Sequence, residues 1–332
     1  MLNVSKPASG RILVVRLGAL GDIVHTLPAV ASLKHSFAGW HLTWAVEPKW
    51  APLLEGNPFI DTLLPMQRDT FASLLESWRL LRAGRYDFAV DFQGLIKSAL
   101  AASCARPERI FGFHQTQVRE RVAALFYSNK TVSRSAHIVD KNLDLAASAG
   151  AASVVRSFPL PPGRPECDLP AGDFVLASPL AGWRAKQWPI EHYQALAALL
   201  RRDLNIPLVL DGPPSAGLLF GQVPDAVVHS SSLRGLIYAT RRAAAIIGVD
   251  SGPLHIAAAL GKPGVAIFGP TDPARNGPYG DSLRVLRDSG AVTTYERGAT
   301  ISESMRRISP EEVFEALRSV LGESRRSAAC LI

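Results

Sequence analysis

The sequence of 332 residues is poor in cysteine and has no long apolar run and no compositionally biased segment. Its three cysteines, Cys104, Cys167 and Cys330, have neither metal-ligand nor CxxC spacing, which predicts reduced thiols in a cytosolic protein. No stretch approaches the ~20 apolar residues that span a bilayer. The apolar run Ile12–Val15 is too short for a signal peptide. We therefore expect a soluble, cytoplasmic protein.

The sequence also lacks the motifs of several functional classes. A GxxxxGK[ST] motif is missing, so P-loop hydrolysis is not indicated. There is no cluster with metal-ligand spacing and no DxD pair after a predicted strand, so we predict neither a metal nor a cofactor. Aromatic residues are not interleaved with the basic ones as a base-stacking platform would require, and we predict no nucleic-acid partner.

Positive charge is concentrated in the first half of the chain. The net charge is +7, and residues 1–160 hold 18 basic and 12 acidic side chains. One stretch carries six of the basic residues: Arg106, Arg109, Arg119, Arg121, Lys130 and Arg134. This distribution favours an anionic partner, such as phosphates, an acidic sugar or an anionic membrane surface.

Short apolar runs alternate with helical patterns in residues 1–157. The predicted strands are Ile12–Arg16, His41–Val46, Asp61–Leu64, Phe88–Asp91 and Arg109–Phe113. The predicted helices are Ile23–Phe37, Phe71–Ala83 and Leu95–Ala105. A β-α-β rhythm of this kind predicts a parallel sheet covered by helices on both faces.

A second domain follows a proline-rich segment, FPLPPGRPECDLP at residues 158–170, which we interpret as a linker. The strands predicted in residues 171–332 are Phe174–Ser178, Pro207–Leu210, Ala226–His229, Ala244–Val249 and Val265–Phe268. The predicted helices are Glu191–Arg202, Leu233–Arg241, Leu254–Leu260 and a last helix that Ser309 caps. Two doubly wound domains imply a ligand cleft lined by the loops that follow the strands.

The segment RLGALGDIVHTLPAV, residues 16–30, places Asp22 in a glycine-flanked loop after the first predicted strand. Glycines allow a tight turn and the close approach of a ligand. Asp22 fits either an N-cap of the following helix or a functional carboxylate. Glu47, after the second strand, stands where a dinucleotide-binding protein has its ribose-binding acid. The GxxGD spacing, however, is not GxGxxG, which argues against that class.

A second segment, IIGVDSGPLHIAAALGKPGVAIFGPTDP, has two loops of similar character, each following a strand. Asp250 or Ser251 is placed to cap a helix that has Pro253 in its first turn and carries His255. The N–H groups at a helix start form a natural phosphate site. His255 fits either a packed helix residue or a ligand to that site.

Two more loops carry cations. SPLAGWRAKQWP, residues 178–189, offers Lys186 as a mobile cation for phosphates, with Arg184 nearby. DFQGLIKSA, residues 91–99, places Gln93 and Lys97 after another predicted strand. Each loop alone is equally consistent with an ordinary surface turn.

Taken together, these segments resemble the heptosyltransferase family of bacterial lipopolysaccharide synthesis, and most of all its type I members. The motifs that carry the resemblance are LGALGDIVHTLPA, DFQGLIKSA, RERVAALFY, AKQWP, and VDSGPLHIAAAL followed by FGPTDP. The resemblance implies a GT-B fold, in which two Rossmann-like domains face each other across a cleft. It assigns the acceptor to residues 1–157 and the nucleotide sugar to residues 171–332, with a C-terminal helix able to pack back on the first domain.

The implied reaction is the inverting transfer of L-glycero-D-manno-heptose from ADP-heptose to Kdo of Kdo–lipid A, at the cytoplasmic face of the inner membrane. Inversion requires one base for the acceptor hydroxyl and positive charge or N–H donors for the leaving ADP. Asp22 matches the catalytic base of the family. The donor-binding positions are Lys186, Ser231, Asp250, Ser251, Gly252, His255 and Thr271. The positions near acceptor or sugar are Arg16, Gly21, Gln93, Lys97 and Arg119.

One departure from the family pattern keeps alternatives open. Relatives carry a glutamate for the ribose after the second strand of the donor domain, whereas this chain has Ala216 and Gly217 there, with Asp211 slightly earlier. A transferase with another sugar donor or core acceptor is therefore an alternative. A sugar-nucleotide epimerase using Asp22 and His255, and a non-catalytic nucleotide-sugar-binding protein, are two more.

Overall fold

The computed structural model describes residues 9–67 and 69–329, and Cys330 lies outside them. The chain separates into two compact units, Met1–Pro161 and Pro162–Ile332. This division falls inside the segment 158–170 that the prolines predict as a linker. The described part of that segment contains no helix or strand.

The first unit is built on six parallel strands in the order β3-β2-β1-β4-β5-β6. The strands are β1 Arg11–Val15, β2 His41–Val46, β3 Thr62–Pro65, β4 Phe88–Asp91, β5 Arg109–Phe113 and β6 Asn129–Thr131. The α-helices are α1 Leu20–Ser36, α2 Phe71–Ala83, α3 Ile96–Cys104 and α4 Ile138–Ser148, and 3₁₀ segments cover Pro48–Leu54 and Arg121–Phe126.

Burial explains why β1 and β4 occupy the centre of this sheet. Every residue of β4 and all of β1 except Arg11 is buried, because helices cover both faces of a parallel sheet. The helix α1 packs against α4, and α3 packs against α2 and against the 3₁₀ segment Arg121–Phe126. The strand order reverses between β1 and β4, which is the switch point where doubly wound domains bind ligands.

The second unit repeats the plan with the order β12-β11-β10-β7-β8-β9. Its strands are β7 Val175–Ser178, β8 Leu208–Asp211, β9 Ala226–His229, β10 Ala245–Val249, β11 Gly264–Phe268 and β12 Leu283–Arg287. Its α-helices are α5 Ile190–Leu199, α6 Gly217–Phe220, α7 Leu233–Arg242, α8 Gly252–Ala259, α9 Pro273–Asn276, α10 Glu303–Arg306 and α11 Pro310–Ala329. Its 3₁₀ segments are Arg184–Lys186 and Pro214–Ala216, and a π-type turn, Leu200–Leu204, follows α5.

The last helix, α11, begins as the sequence predicts. Ser309 precedes Pro310, and its Oγ accepts a hydrogen bond from the N–H of Glu312 at 3.1 Å. Val313, Phe314 and Leu317 are buried in the core of the second unit. The described side chains of α11 therefore stabilise the unit to which the helix belongs.

The sequence analysis did not predict two strands, the helix α4 or the four-residue helices α6, α9 and α10. The strand β6 reads Asn-Lys-Thr and β12 reads Leu-Arg-Val-Leu-Arg. Both are edge strands, and their polar or alternating sequences lack the continuous apolar run of a central parallel strand. The helix α4 was also missed; it buries a polar residue, Asn142, whose Nδ2 donates to the carbonyl oxygen of His25 at 3.0 Å.

Candidate active site

In the first unit, Arg16 and Asp22 meet at the carboxyl end of β1. Arg16 is 6% exposed, and its Nη2 lies 2.6 Å from Asp22 Oδ2. Its Nη1 donates to the carbonyl oxygen of Phe92, directly after β4. The guanidinium therefore bridges the loops that leave the two strands of the switch point, and it holds the carboxylate of Asp22 in one place.

Asp22 is not the N-cap of α1, which corrects one of the two sequence-based interpretations. The helix begins two residues earlier, at Leu20, and Ala19 is its N-cap. Asp22 occupies the first turn, where its Oδ2 accepts from the N–H of Ala19 at 3.3 Å. Its side chain is 45% exposed, and its Oδ1 has no partner among the described residues. One oxygen thus anchors the group, while the other has no partner in the described part of the chain.

Gln93 supports the same loops. Its side-chain oxygen accepts from the N–H of Leu17 at 2.7 Å. Gly21, a predicted site residue, lies in the first turn of α1 beside this loop. The loop glycine Gly18 cannot be enlarged, because a Cβ there would lie 2.8 Å from Nε1 of Trp50.

Asp91, a residue that the sequence analysis did not single out, organises the loop after β4. It is fully buried, and its Oδ2 accepts from Tyr127 Oη at 2.7 Å and from Ser98 Oγ at 2.8 Å. Its Oδ1 accepts from the N–H of Gln93 at 2.8 Å. Burial raises the pKa of Asp91 despite these hydrogen bonds. Its position at the start of the DFQG motif was the only signal in the sequence.

The other predicted residues of this unit do not join the Asp22 cluster directly. Lys97 lies on α3, with Nζ 3.3 Å from Oε1 of Glu47, and Lys49 contacts the other oxygen of Glu47 at 3.6 Å. Glu47, considered above as a ribose-binding acid, is thus paired with two lysines. Arg119 is exposed on the loop that follows β5.

In the second unit, Lys186 and Asp250 form a largely buried ion pair at the switch point between β7 and β10. Lys186 Nζ lies 2.7 Å from Asp250 Oδ2, and the two side chains are 15% and 7% exposed. The same Nζ lies 4.4 Å from the ring centroid of Trp183. In this state the ammonium of Lys186 is engaged by Asp250 and Trp183, and its role as a cation for phosphates stays a prediction.

The start of α8 offers polar groups without partners. Ser251 is the N-cap, but its side chain makes no capping bond, and its Oγ is buried with no partner among the described residues. Gly252 and Pro253 form the first turn, which leaves the N–H of Gly252 beside that hydroxyl. His255 is buried one turn later, with Nε2 3.9 Å from Asp250 Oδ1. Such a helix start binds anions well.

The remaining predicted residues lie along the same edge of this sheet. Thr271 follows β11, is 2% exposed, and has a buried Oγ1 without a partner among the described residues. Ser231 follows β9 at the far side, where its Oγ donates to the carbonyl oxygen of Ser232 at 3.2 Å. No hydrogen bond or ion pair of the described residues joins either of them to Lys186 or Asp250.

The position of the expected ribose glutamate has no acid. Ala216 is buried, and Gly217 begins α6. Asp211 ends β8, and its Oδ1 lies 2.8 Å from Nδ1 of His229 at the end of β9. Both side chains are at most 9% exposed. One oxygen of Asp211 is therefore committed to the neighbouring strand.

Most of the chain matches a known protein family. Residues 74–303 match the model of glycosyltransferase family 9 (heptosyltransferase). The chain belongs to glycosyltransferase family 9.

Relatives within family 9 extend the likeness beyond the matched region. Lipopolysaccharide heptosyltransferase 1 of Escherichia coli K12 is 28% identical over 305 residues, which cover 83% of this chain and 93% of that protein. The protein of the same name from Pseudomonas aeruginosa is 29% identical over 299 residues, or 82% of each chain. The structure of E. coli heptosyltransferase WaaC with ADP matches with a TM-score of 0.75 at 25% identity, covering 92% of this chain and 98% of that chain.

These likenesses confirm the predicted family and, with the two parallel sheets, the GT-B fold class. They identify the protein as a glycosyltransferase of the heptosyltransferase type. Among the described residues, no helix is both long and apolar enough to cross a bilayer. The described part of the chain likewise contains no group of three or more His, Cys, Asp and Glu residues arranged to hold a metal ion.

Proposed function

We propose that this family 9 glycosyltransferase transfers L-glycero-D-manno-heptose from ADP-heptose to Kdo of Kdo–lipid A, with inversion at the anomeric carbon. The reaction belongs to the inner core of lipopolysaccharide. The donor half of the proposal rests on the likeness to WaaC, which has been solved with ADP and with ADP-2-deoxy-2-fluoro heptose. The acceptor half rests on the relatives that bear the name heptosyltransferase 1.

The observation that carries the proposal is the set of unused polar groups at the start of α8. The hydroxyl of Ser251 is buried without a partner among the described residues, and Ser251 is the N-cap of α8, whose first residue is Gly252. A buried hydroxyl without a partner costs free energy, so a ligand that supplies the missing hydrogen bond is favoured. The diphosphate of a nucleotide sugar supplies several such acceptors. Thr271 offers the same unused hydroxyl one strand away.

Lys186 would neutralise the departing ADP. Its ammonium has three protons, and Asp250 accepts through Oδ2 at 2.7 Å and through its carbonyl oxygen at 3.4 Å. One proton therefore remains for a phosphate oxygen. Because Lys186 is largely buried, its ammonium stabilises a developing negative charge more strongly than the ammonium of an exposed lysine does. No metal ion is needed for this step.

Asp22 would act as the general base. As the acceptor hydroxyl attacks the anomeric carbon, its proton passes to Oδ1 of Asp22, the bond from that carbon to the diphosphate breaks, and ADP leaves. Arg16 holds the other carboxylate oxygen at 2.6 Å, so the base is positioned before the substrate arrives. Gln93, Lys97 and Arg119 would bind the acidic acceptor sugar.

The missing ribose glutamate favours a second candidate, a transferase with another sugar donor or core acceptor. Asp211 could still meet a ribose hydroxyl through Oδ2, because only Oδ1 is engaged by His229. In doubly wound domains an acid at the end of the second strand commonly takes this role. We therefore expect ADP-heptose to remain the donor, with Asp211 in place of the glutamate.

A donor and acceptor panel tests the proposal. Purified enzyme is given ADP-heptose or other nucleotide sugars, with and without Kdo–lipid A, and products are identified by mass spectrometry. Heptosylated Kdo–lipid A from ADP-heptose alone supports the proposal. Preference for another donor supports the second candidate. Sugar isomerisation without acceptor would identify an epimerase, and donor binding without any turnover would indicate a binding protein.

The acceptor also implies a location. A soluble enzyme acting on a lipid-linked sugar must meet the membrane, and we propose peripheral attachment to the cytoplasmic face of the inner membrane. The basic excess of the first half of the chain, 18 basic against 12 acidic residues in 1–160, supports an electrostatic contribution.

A further inference from the structure

Four large apolar side chains are exposed on two adjacent segments of the first unit. Ile96 and Leu100 lie one turn apart on α3 and are 37% and 41% exposed. Val122 and Leu125, on the 3₁₀ segment Arg121–Phe126, are 52% and 74% exposed. The two segments pack together, and small residues such as Ala99 and Ala123 fill the core beneath them. We call these four side chains the apolar patch.

Two of the patch residues, Val122 and Leu125, also line a cavity. Its volume is about 400 Å³, and it is lined by Gln115, Thr116, Arg121, Val122 and Leu125. A single exposed leucine needs no explanation, but several exposed apolar side chains on adjoining segments are typical of an interaction surface. A cavity lined by Leu125 and Arg121 offers room for a ligand that is partly apolar and partly anionic.

Arginines lie close in sequence to the patch residues. Arg119 and Arg121 are exposed at the start of the 3₁₀ segment. The acid between them, Glu120, is engaged, because its Oε2 accepts from the N–H of Ile96 at 2.7 Å. Arg106 and Arg109 lie on the loop and strand that follow α3, and Glu108 is the acid next to them. Exposed apolar side chains beside an exposed arginine, as Val122 and Leu125 lie beside Arg121, match the boundary between lipid headgroups and acyl chains.

The patch adjoins the residues assigned to the acceptor. Lys97 follows Ile96 in the first turn of α3, with its Nζ 3.3 Å from Glu47 Oε1, and Gln93 lies on the loop that leads into that helix. Arg119 immediately precedes Glu120. A lipid surface in contact with the patch would therefore present its headgroups beside these side chains.

We infer that the apolar patch inserts into the interface of an anionic lipid bilayer while Arg121 binds lipid phosphates. This inference rests on the proposed function only in that the acceptor is lipid-linked. A second copy of the chain fits less well. A two-fold interface centred on the patch would place Arg121 of one copy near Arg121 of the other, and the like charges would repel. An acidic protein partner would use the arginines but would leave the four apolar side chains unexplained.

The test compares variants by flotation with vesicles of phosphatidylcholine, with or without phosphatidylglycerol and containing no acceptor. Wild-type protein should float with the anionic vesicles and keep a bound fraction at high salt, because apolar insertion is not screened. The double variant Val122→Ser/Leu125→Ser should bind on the order of tenfold less. Arg121→Gln should bind about fivefold less at low salt, with a smaller difference at high salt.

Leu218→Ser is the matched control, since Leu218 is 90% exposed in the second unit, and it should bind as wild type does. Wild-type protein that does not float with anionic vesicles overturns the inference. A double variant that binds as well as wild type also overturns it. So does a wild-type dimer in sedimentation that the double variant dissociates, because the patch is then a contact between copies.

A second readout separates this inference from the proposed function. Transfer to a water-soluble Kdo acceptor without acyl chains should be the same in wild type and in Val122→Ser/Leu125→Ser. If the enzyme binds vesicles but transfers no heptose, the membrane role of the patch is supported and the proposed function is wrong. Loss of soluble-acceptor transfer in the double variant would instead place the patch inside the catalytic site and overturn a membrane role.

Discussion

Replacing Lys186 by Met separates the two roles of this lysine, as the partner of Asp250 and as a phosphate ligand. Nζ of Lys186 and Oδ2 of Asp250 are 2.7 Å apart, and the side chains are 15% and 7% exposed. Breaking a buried pair by removing one partner costs about 3–5 kcal/mol, because the other charge stays buried without compensation. Since Lys186 is partly exposed, we expect the low end, about 3 kcal/mol.

Thermal unfolding measures this cost. For a domain the size of the second unit, about 3 kcal/mol corresponds to a fall of roughly 6–12 °C in its midpoint. The double variant Lys186→Met/Asp250→Asn has no charge left at this site and should recover most of the lost stability. Such a recovery is the coupling expected of two residues in direct contact.

The change in unfolding midpoint on adding ADP tests the role of Lys186 as a phosphate ligand. The midpoint of wild-type protein should rise with ADP, because a ligand that binds only the folded state stabilises it by mass action. Both variants should lose most of this rise, whereas Arg184→Met, on the same turn but exposed, should keep it. Two results would refute the reasoning: a double variant no more stable than Lys186→Met, or a Lys186→Met protein with the full response to ADP.

Three further predictions concern the first unit. Arg16→Met should leave ADP binding unchanged but lower turnover about 100-fold, since Asp22 loses its anchor; steady-state kinetics that match wild type would contradict this. Burial raises the pKa of Asp91, so the folded state holds its proton more tightly than the unfolded chain does. In urea unfolding the free energy of wild type should therefore fall relative to Asp91→Asn as pH rises above about 4, and parallel pH profiles would oppose this sign. Gly94→Ala should cost more stability than Gly56→Ala: both φ angles are near +66°, but only the new Cβ at Gly94 meets a neighbour, 3.1 Å away. Equal midpoints would show that crowding there is negligible.

Several elements were predicted with their observed bounds, among them a strand at the centre of the first sheet. The strand β4, Phe88–Asp91, was predicted with its observed bounds, because a strand buried on both faces requires an apolar run that is visible in the sequence. The edge strands β6 and β12 were missed, since partial exposure lets their sequences carry Asn, Lys and Arg. Their pairing depends on neighbouring strands rather than on local pattern.

The sheet edges that carry the candidate residues were predictable from the sequence, but the contacts of these residues were not. The fold places the residue after each strand at one edge, so the loops that hold Asp22, Lys186 and Asp250 could be named from order alone. Contacts across long separations could not. The ion pair of Lys186 joins residues 64 positions apart, and Tyr127 reaches Asp91 across 36 positions. Only the assembled sheet shows that these side chains meet.

Glycosyl transfer by the Asp22→Asn variant is the measurement that tests the central claim most directly. The substitution keeps the size of the side chain and an oxygen for the N–H of Ala19 but removes its capacity to take up a proton. With ADP-heptose and Kdo–lipid A, we predict that the variant folds and binds ADP as wild type does, while its turnover falls about 10²–10⁴-fold. An Asp22→Asn enzyme that keeps most of the wild-type turnover would contradict the account, because another group would then be the base.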